Sequence, residues 1–139
     1  MATVLFVCLH NAGRSQISQA LLERAADGRH RALSAGSQAD PDGHVHPQVI
    51  EVMDEIGIDL SGRRPQPLTH ELAERADVVV TMGCGDVCPY IPGKRYIDWD
   101  LPDPSSRPVD EVRALREDID RRVRGLIRDL DGGKQSPSN

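Results

Sequence analysis

Residues 3–15 read Thr3-Val4-Leu5-Phe6-Val7-Cys8-Leu9-His10-Asn11-Ala12-Gly13-Arg14-Ser15. Val4 to Val7 is a continuous apolar run suited to a strand buried on both faces. Ile17, Ala20, Leu21 and Ala25 then recur at helical spacing, and Gly28 stops that helix. The junction is thus a strand, a cysteine, five residues, and an arginine where a helix begins. A strand-to-helix turn aims backbone N–H groups at one point. With Cys8 at its base and Arg14 at its rim, this turn suits a tetrahedral oxyanion held above a nucleophile.

Outward from that junction, strand and helix patterns alternate. Arg31 to Ser34 reads as a second strand, ending at Ala35-Gly36. Pro47 suits a first helical position, and Val49, Ile50, Met53 and Ile56 form one apolar stripe before Gly57. Thr69 caps a short helix running to about Ala76. Asp77 to Met82 is the clearest buried strand, and Arg95 to Trp99 is a fourth. From about Pro108, Val109, Val112, Leu115, Ile119, Val123, Leu126 and Leu130 give a long amphipathic helix ended by Gly132-Gly133. Its acidic start and basic second half suit the helix dipole. The pattern predicts one α/β domain over 1–132, a doubly wound four-stranded parallel sheet with helices on both faces, and a disordered tail over 133–139. Ligands of such sheets bind at the carboxyl ends of the strands. The Cys8 loop, the Cys84/Cys88 turn and the Asp103 loop all fall there.

Composition narrows the function. The 139 residues carry a net charge of -5, which argues against nucleic acid or anionic lipid as main partner. An anionic ligand then needs a local cation, which Arg14 supplies. Val4 to Leu9 is too short for a signal peptide or a membrane span, so the expected location is the cytoplasm. Three cysteines are an odd number and do not form a disulfide framework. No exposed apolar stripe demands a partner, so a monomer is expected.

Within the loop, the thiolate is the reactive form of cysteine, and helix N-termini and nearby cations favour it. Ser15 is placed to hydrogen-bond Cys8. Arg14 binds two oxygens of an anion at once, which lysine does less well. Gly13 permits close backbone approach, and Asn11 tolerates a left-handed conformation. His10, Asn11, Ala12, Gly13, Arg14 and Ser15 are the expected oxyanion-binding residues.

This loop resembles the active-site loop of the low-molecular-weight protein tyrosine phosphatases, and equally that of the thioredoxin-coupled arsenate reductases of the same fold. Ser34-Ala35-Gly36, Gly57-Ile58-Asp59-Leu60-Ser61 and Asp103-Pro104 extend the resemblance over about residues 3–130. It implies a flavodoxin-like sheet, Cys8 as nucleophile, Arg14 as anion clamp and Asp103 as general acid. Some relatives hold a potassium ion near the loop with acidic side chains. Asn11 and Ser34 match that pattern, but Gln19 and Gln66 stand at the acidic positions, and no metal site is expected.

Cys84 and Cys88 separate the two activities. A phosphatase needs one thiol, because water cleaves its phosphocysteine. Arsenate reduction needs two electrons, and one dithiol-to-disulfide conversion supplies two. The resemblance implies that Cys84 attacks the Cys8–arsenic adduct and Cys88 then closes a Cys84–Cys88 disulfide. An external reductant restores it, thioredoxin or a mycothiol- or glutaredoxin-type system, and no cofactor is bound. Helical geometry would leave the two Cβ atoms roughly 5–6 Å apart, so the turn is expected to rearrange on oxidation. A structural zinc site would need a second close pair of ligands, which the sequence lacks. No aromatic residue lies in the loop from Asp40 to Pro47 or directly after Asp103-Pro104, which suits a small inorganic anion (arsenate, with phosphate or sulfate as inhibitors) better than an aryl phosphate. The rival readings are a protein tyrosine phosphatase and a non-enzymatic oxyanion or thiol redox sensor.

Overall fold

The computed structural model describes residues 1–82 and 92–132. The elements run β1 (Thr3–Cys8), α1 (Arg14–Ala26), β2 (Arg31–Gly36), α2 (Pro47–Asp54), α3 (His70–Arg75), β3 (Val78–Thr81), β4 (Arg95–Asp98) and α4 (Val109–Asp131). The four strands form one parallel sheet in the order β2-β1-β3-β4. β1 is central, and Cys8 closes its register opposite Gly36. The expected tail over 133–139 and the Cys84–Cys88 turn lie outside the described residues.

The strand pleat sorts the core. Val4, Phe6, Cys8, Val78 and Val80 face one side, where Ile17, Leu21, Val49, Met53, Ile119 and Val123 of α1, α2 and α4 cover them. Leu5, Val7 and Val79 face the other side and pack on Leu72 and Ala73 of α3. Both faces are therefore covered, as continuous apolar strands require. Thr69 caps α3 through its hydroxyl, which accepts from the Leu72 N–H at 3.1 Å. The Phe6 and Trp99 rings pack 5.7 Å apart at 42°.

The sequence pattern gives no warning of the clamp between α2 and α4. Arg116 is 7% exposed and donates to the Val52 carbonyl at 2.6 Å and to Glu55 at 2.9 Å. Arg113 donates to both oxygens of the same carboxylate, at 2.9 and 2.6 Å. Chiefly through the Arg113 hydrogen bonds, the Glu55 pKa is lowered from 4.5 to about 2. A depressed carboxylate stabilises the fold fully above its unfolded pKa and loses that contribution as pH falls through its folded value. Thermal melts between pH 4.5 and about 2 are therefore expected to fall more steeply in the wild type than in Glu55→Gln.

Candidate active site

β1 delivers Cys8 to the carboxyl edge of the sheet, and α1 starts six residues later at Arg14. Cys8 is 2% exposed. Its Sγ lies 2.9 Å from Ser15 Oγ and accepts from the Asn11 N–H at 3.3 Å. Asn11 has φ 55°, the left-handed turn its short polar side chain tolerates. That conformation points the Asn11 N–H back at the sulfur.

The Asn11 side chain fixes the direction of the Ser15 proton. The Gln66 N–H only donates, and it donates at 2.7 Å to Asn11 Oδ1. The Asn11 amide nitrogen must then face Ser15, to whose Oγ it donates at 2.6 Å. With its oxygen so engaged, the Ser15 hydroxyl proton is free to point at Cys8 Sγ. Gln16, 2% exposed, supports this chain from beneath. Its amide nitrogen lies 3.2 Å from each of Asn11 O, Asn11 Oδ1 and Arg64 O. Gln16 is a residue that sequence reading missed, because a glutamine on a helix's first turn carries no pattern of its own.

The residues expected around a cation position do meet, through hydrogen bonds between neutral groups. Ser34 Oγ donates to Gln19 Oε1 at 2.6 Å, and Gln66 Nε2 donates to the Ser34 carbonyl at 3.0 Å. Beside them, Gly36 has a packing role. A Cβ there would sit 2.8 Å from Asn11 N, His10 C and Leu9 O, all backbone atoms of the anion loop. Gly36→Ala is expected to lower stability by about 1–3 kcal/mol through overpacking and to displace the loop. Thermal unfolding together with sulfate affinity checks this, since both should drop.

Arg14 is 7% exposed and anchored at one end only. Its Nη1 donates to the Leu101 carbonyl at 3.3 Å, and its Nη2 lies 4.0 Å from Asp103 Oδ2. Its Nε is buried with no hydrogen-bond partner among the described residues. A buried guanidinium N–H without a partner is costly, and an anion oxygen would satisfy it. Asp103 is half-buried in the loop after β4. Burial pushes its pKa up, but the Ser105 backbone N–H and hydroxyl, Arg14 and His46 together hold it below the ordinary aspartate value. Ser105 N–H donates to Asp103 Oδ1 at 2.9 Å.

Cys8, His10, Ala12, Gly13, Arg14, His46, Asp103 and Pro104 line one small pocket. Three segments distant in sequence converge there, and among the described residues its lining contains no phenylalanine, tyrosine or tryptophan. The absent Cβ of Gly13 accommodates Pro104, whose Cγ would lie 2.6 Å from that atom. Gly13 thus lets the Asp103 loop close on the anion loop. His10 is exposed, its Nδ1 3.4 Å from the Gln38 carbonyl oxygen. His46 is a second residue the sequence reading missed. It precedes Pro47 at the N-terminus of α2, where its position beside Cys8 depends on the fold alone.

A parallel α/β sheet with a buried thiol at the foot of a strand-to-helix anion loop is an arrangement of thiol-nucleophile enzymes that act on oxyanions. The family described as low molecular weight phosphotyrosine protein phosphatase matches residues 3–136, and the chain belongs to that family. It is similar to the glutaredoxin arsenate reductase of Synechocystis sp., 33% identical over 130 residues that cover 91% of this chain and 97% of that one. The thioredoxin-dependent arsenate reductase of Corynebacterium glutamicum superposes with a TM-score of 0.79 at 42% identity, over 94% of this chain. This chain spans only 62% of that longer one. An arginine phosphatase from Geobacillus stearothermophilus superposes with a TM-score of 0.85 at 25% identity, over 98% of each chain.

Proposed function

We propose that this protein is an arsenate reductase working by a three-cysteine relay. The observation that carries this reading is the small pocket over Cys8, walled by Arg14 and Asp103 and, among the described residues, without phenylalanine, tyrosine or tryptophan. It suits a free inorganic oxyanion. Arsenate reductases of 33% and 42% identity support the same activity, and Cys84 and Cys88 supply the thiols that reduction requires.

In the first step the Cys8 thiolate attacks arsenic, and the hydroxyl of the hydrogen-arsenate dianion leaves as water on taking one proton from Asp103. Arg14 and the loop N–H groups hold the remaining oxygens. Cys84 thiolate then attacks Cys8 Sγ. The sulfur–arsenic bond breaks with its electron pair on arsenic, so arsenic(V) leaves as arsenite and a Cys8–Cys84 disulfide forms. Cys88 thiolate attacks Cys84, forming the Cys84–Cys88 disulfide and freeing Cys8. An external dithiol, thioredoxin or a glutaredoxin- or mycoredoxin-like protein, restores the pair by exchange. No bound cofactor takes part. The enzyme would act in the cytoplasm as a monomer.

The deciding assay mixes arsenate, protein, thioredoxin, thioredoxin reductase and NADPH, and follows NADPH loss. Turnover that vanishes separately in Cys8→Ser, Cys84→Ser and Cys88→Ser supports the relay. Aryl phosphate hydrolysis that survives in Cys84→Ser and Cys88→Ser, without arsenate turnover, overturns it in favour of a phosphatase. Reversible oxidation and anion binding without turnover point instead to a redox sensor.

Asp103→Asn is expected to cut kcat by about 10²-fold, the usual scale of a lost general acid. Ser105, Arg14 and His46 favour the ionised form of Asp103. An arriving oxyanion engages Arg14, removes part of that support and favours proton uptake by Asp103. The rate of adduct formation on Cys8, followed at several pH values, should lose in the variant the alkaline-side limb that deprotonation of this acid imposes.

A further inference from the structure

We propose that His46 is a proton-linked anion-binding residue: its imidazole takes up one proton when a tetrahedral dianion enters the Cys8 pocket and donates to that anion. The inference deepens the functional reading above and rests on the pocket being an oxyanion site.

Three observations place His46 there. Its ring lines the same pocket as Cys8, Arg14 and Asp103. Its Cδ2 would lie 3.4 Å from a Cβ built on Gly13, so the ring sits against the anion loop itself. Its backbone N–H donates to the Ala12 carbonyl at 2.9 Å, which ties the start of α2 to that loop. Neither ring nitrogen has a hydrogen-bond partner among the described residues, although the residue is half-buried. A polar ring so placed has a partner to gain from the pocket's ligand.

Charge gives the ring its task. The groups facing it are Asp103 from the loop after β4, and His10, Arg14 and Cys8 from the anion loop. Burial lowers the His46 pKa, Asp103 opposes this, and His10 and Arg14 add to it. The buried guanidinium of Arg14 faces the Asp103 carboxylate. A dianion entering over Cys8 brings two further negative charges, and Arg14 alone leaves that charge uncompensated. His46 is a neutral group on the pocket wall that gains a positive charge by binding a proton near physiological pH. Anion binding must then raise its proton affinity, and protonation must raise anion affinity by the same factor.

The test uses inorganic sulfate, which stays dianionic between about pH 5 and 8. The His46 ring resonances of the full chain are titrated by NMR with and without saturating sulfate. The titration midpoint is expected to rise by about one pH unit or more, a tenfold linkage. In His46→Gln, sulfate affinity is expected to fall toward tenfold at pH 5 and to change little at pH 8. The Ala12 carbonyl contact is made by backbone and survives the substitution. A midpoint that does not move while the amide resonances of residues 11–14 respond to sulfate would overturn the proposal and leave the anion site standing. Equal losses at both pH values would reduce His46 to a structural role and overturn it too. Absence of any sulfate response in residues 11–14 would overturn both the proposal and the reading of the pocket beneath it.

Discussion

Cys8→Ser is expected to lower arsenate turnover by about a millionfold, the scale reached when a nucleophile is removed outright. A serine hydroxyl at this position meets the same donors as the thiol, the Asn11 N–H and Ser15 Oγ. Those contacts do not ionise an alcohol at neutral pH. In the proposed relay no sulfur–arsenic bond forms without a thiolate, and without that bond Cys84 has no electrophilic sulfur to attack. Both the chemical step and the electron transfer are lost together. Anion binding should persist, because Arg14 and the loop backbone are unchanged. The coupled NADPH assay and sulfate calorimetry measure the two properties independently. Residual turnover above about one part in a hundred would place the nucleophile on another thiol and break the order of the relay.

The part of this site readable from sequence is the part written in consecutive residues. Val4 to Val7 announced β1, Arg14 and Ile17 announced α1, and the turn between them had to hold Cys8 at the sheet's carboxyl edge. Asn11 at φ 55° follows from a residue type that tolerates that region. The sequence also placed the Asp103 loop at that edge, and Gly13 closes the contact by making room for Pro104. His46, Gln16 and Arg116 were illegible for a shared reason. Each is a polar residue whose role depends on what another segment places beside it, and no periodicity marks such a position. Gln16 acts on Asn11 five residues before it, and Arg116 reaches Val52 across 64 residues of sequence. Gly36 illustrates the intermediate case. Its place at the end of β2 was evident, but its reason, a backbone of the anion loop 2.8 Å from where a Cβ would stand, emerges only from the sheet register.

Arg14→Lys is expected to lower kcat/KM for arsenate by about 10³-fold, even though the formal charge is kept. The arginine performs three tasks with one planar group. Nη1 holds the Leu101 carbonyl at 3.3 Å, Nη2 faces Asp103 at 4.0 Å, and Nε is turned inward without a partner among the described residues. A lysine ammonium is a single point of charge on a flexible stem and cannot occupy all three positions. If it reaches Leu101 it abandons the anion, and if it reaches the anion it leaves the 7% exposed site with an unsatisfied carbonyl. The loss should divide between binding and catalysis. Sulfate affinity reports the ground-state share, expected near tenfold. The remaining hundredfold should appear in kcat, because charge on the anion's oxygens must be held as the sulfur–arsenic bond forms. The pH dependence should change in the same variant, since the Asp103 carboxylate loses the guanidinium that helps hold it ionised. Its pKa then moves upward and the alkaline-side limb that its deprotonation imposes on kcat shifts toward neutral pH. A variant that kept kcat/KM within about tenfold would show that backbone N–H groups alone clamp the anion. Arg14 would then serve chiefly to brace the Leu101 to Asp103 segment against the loop.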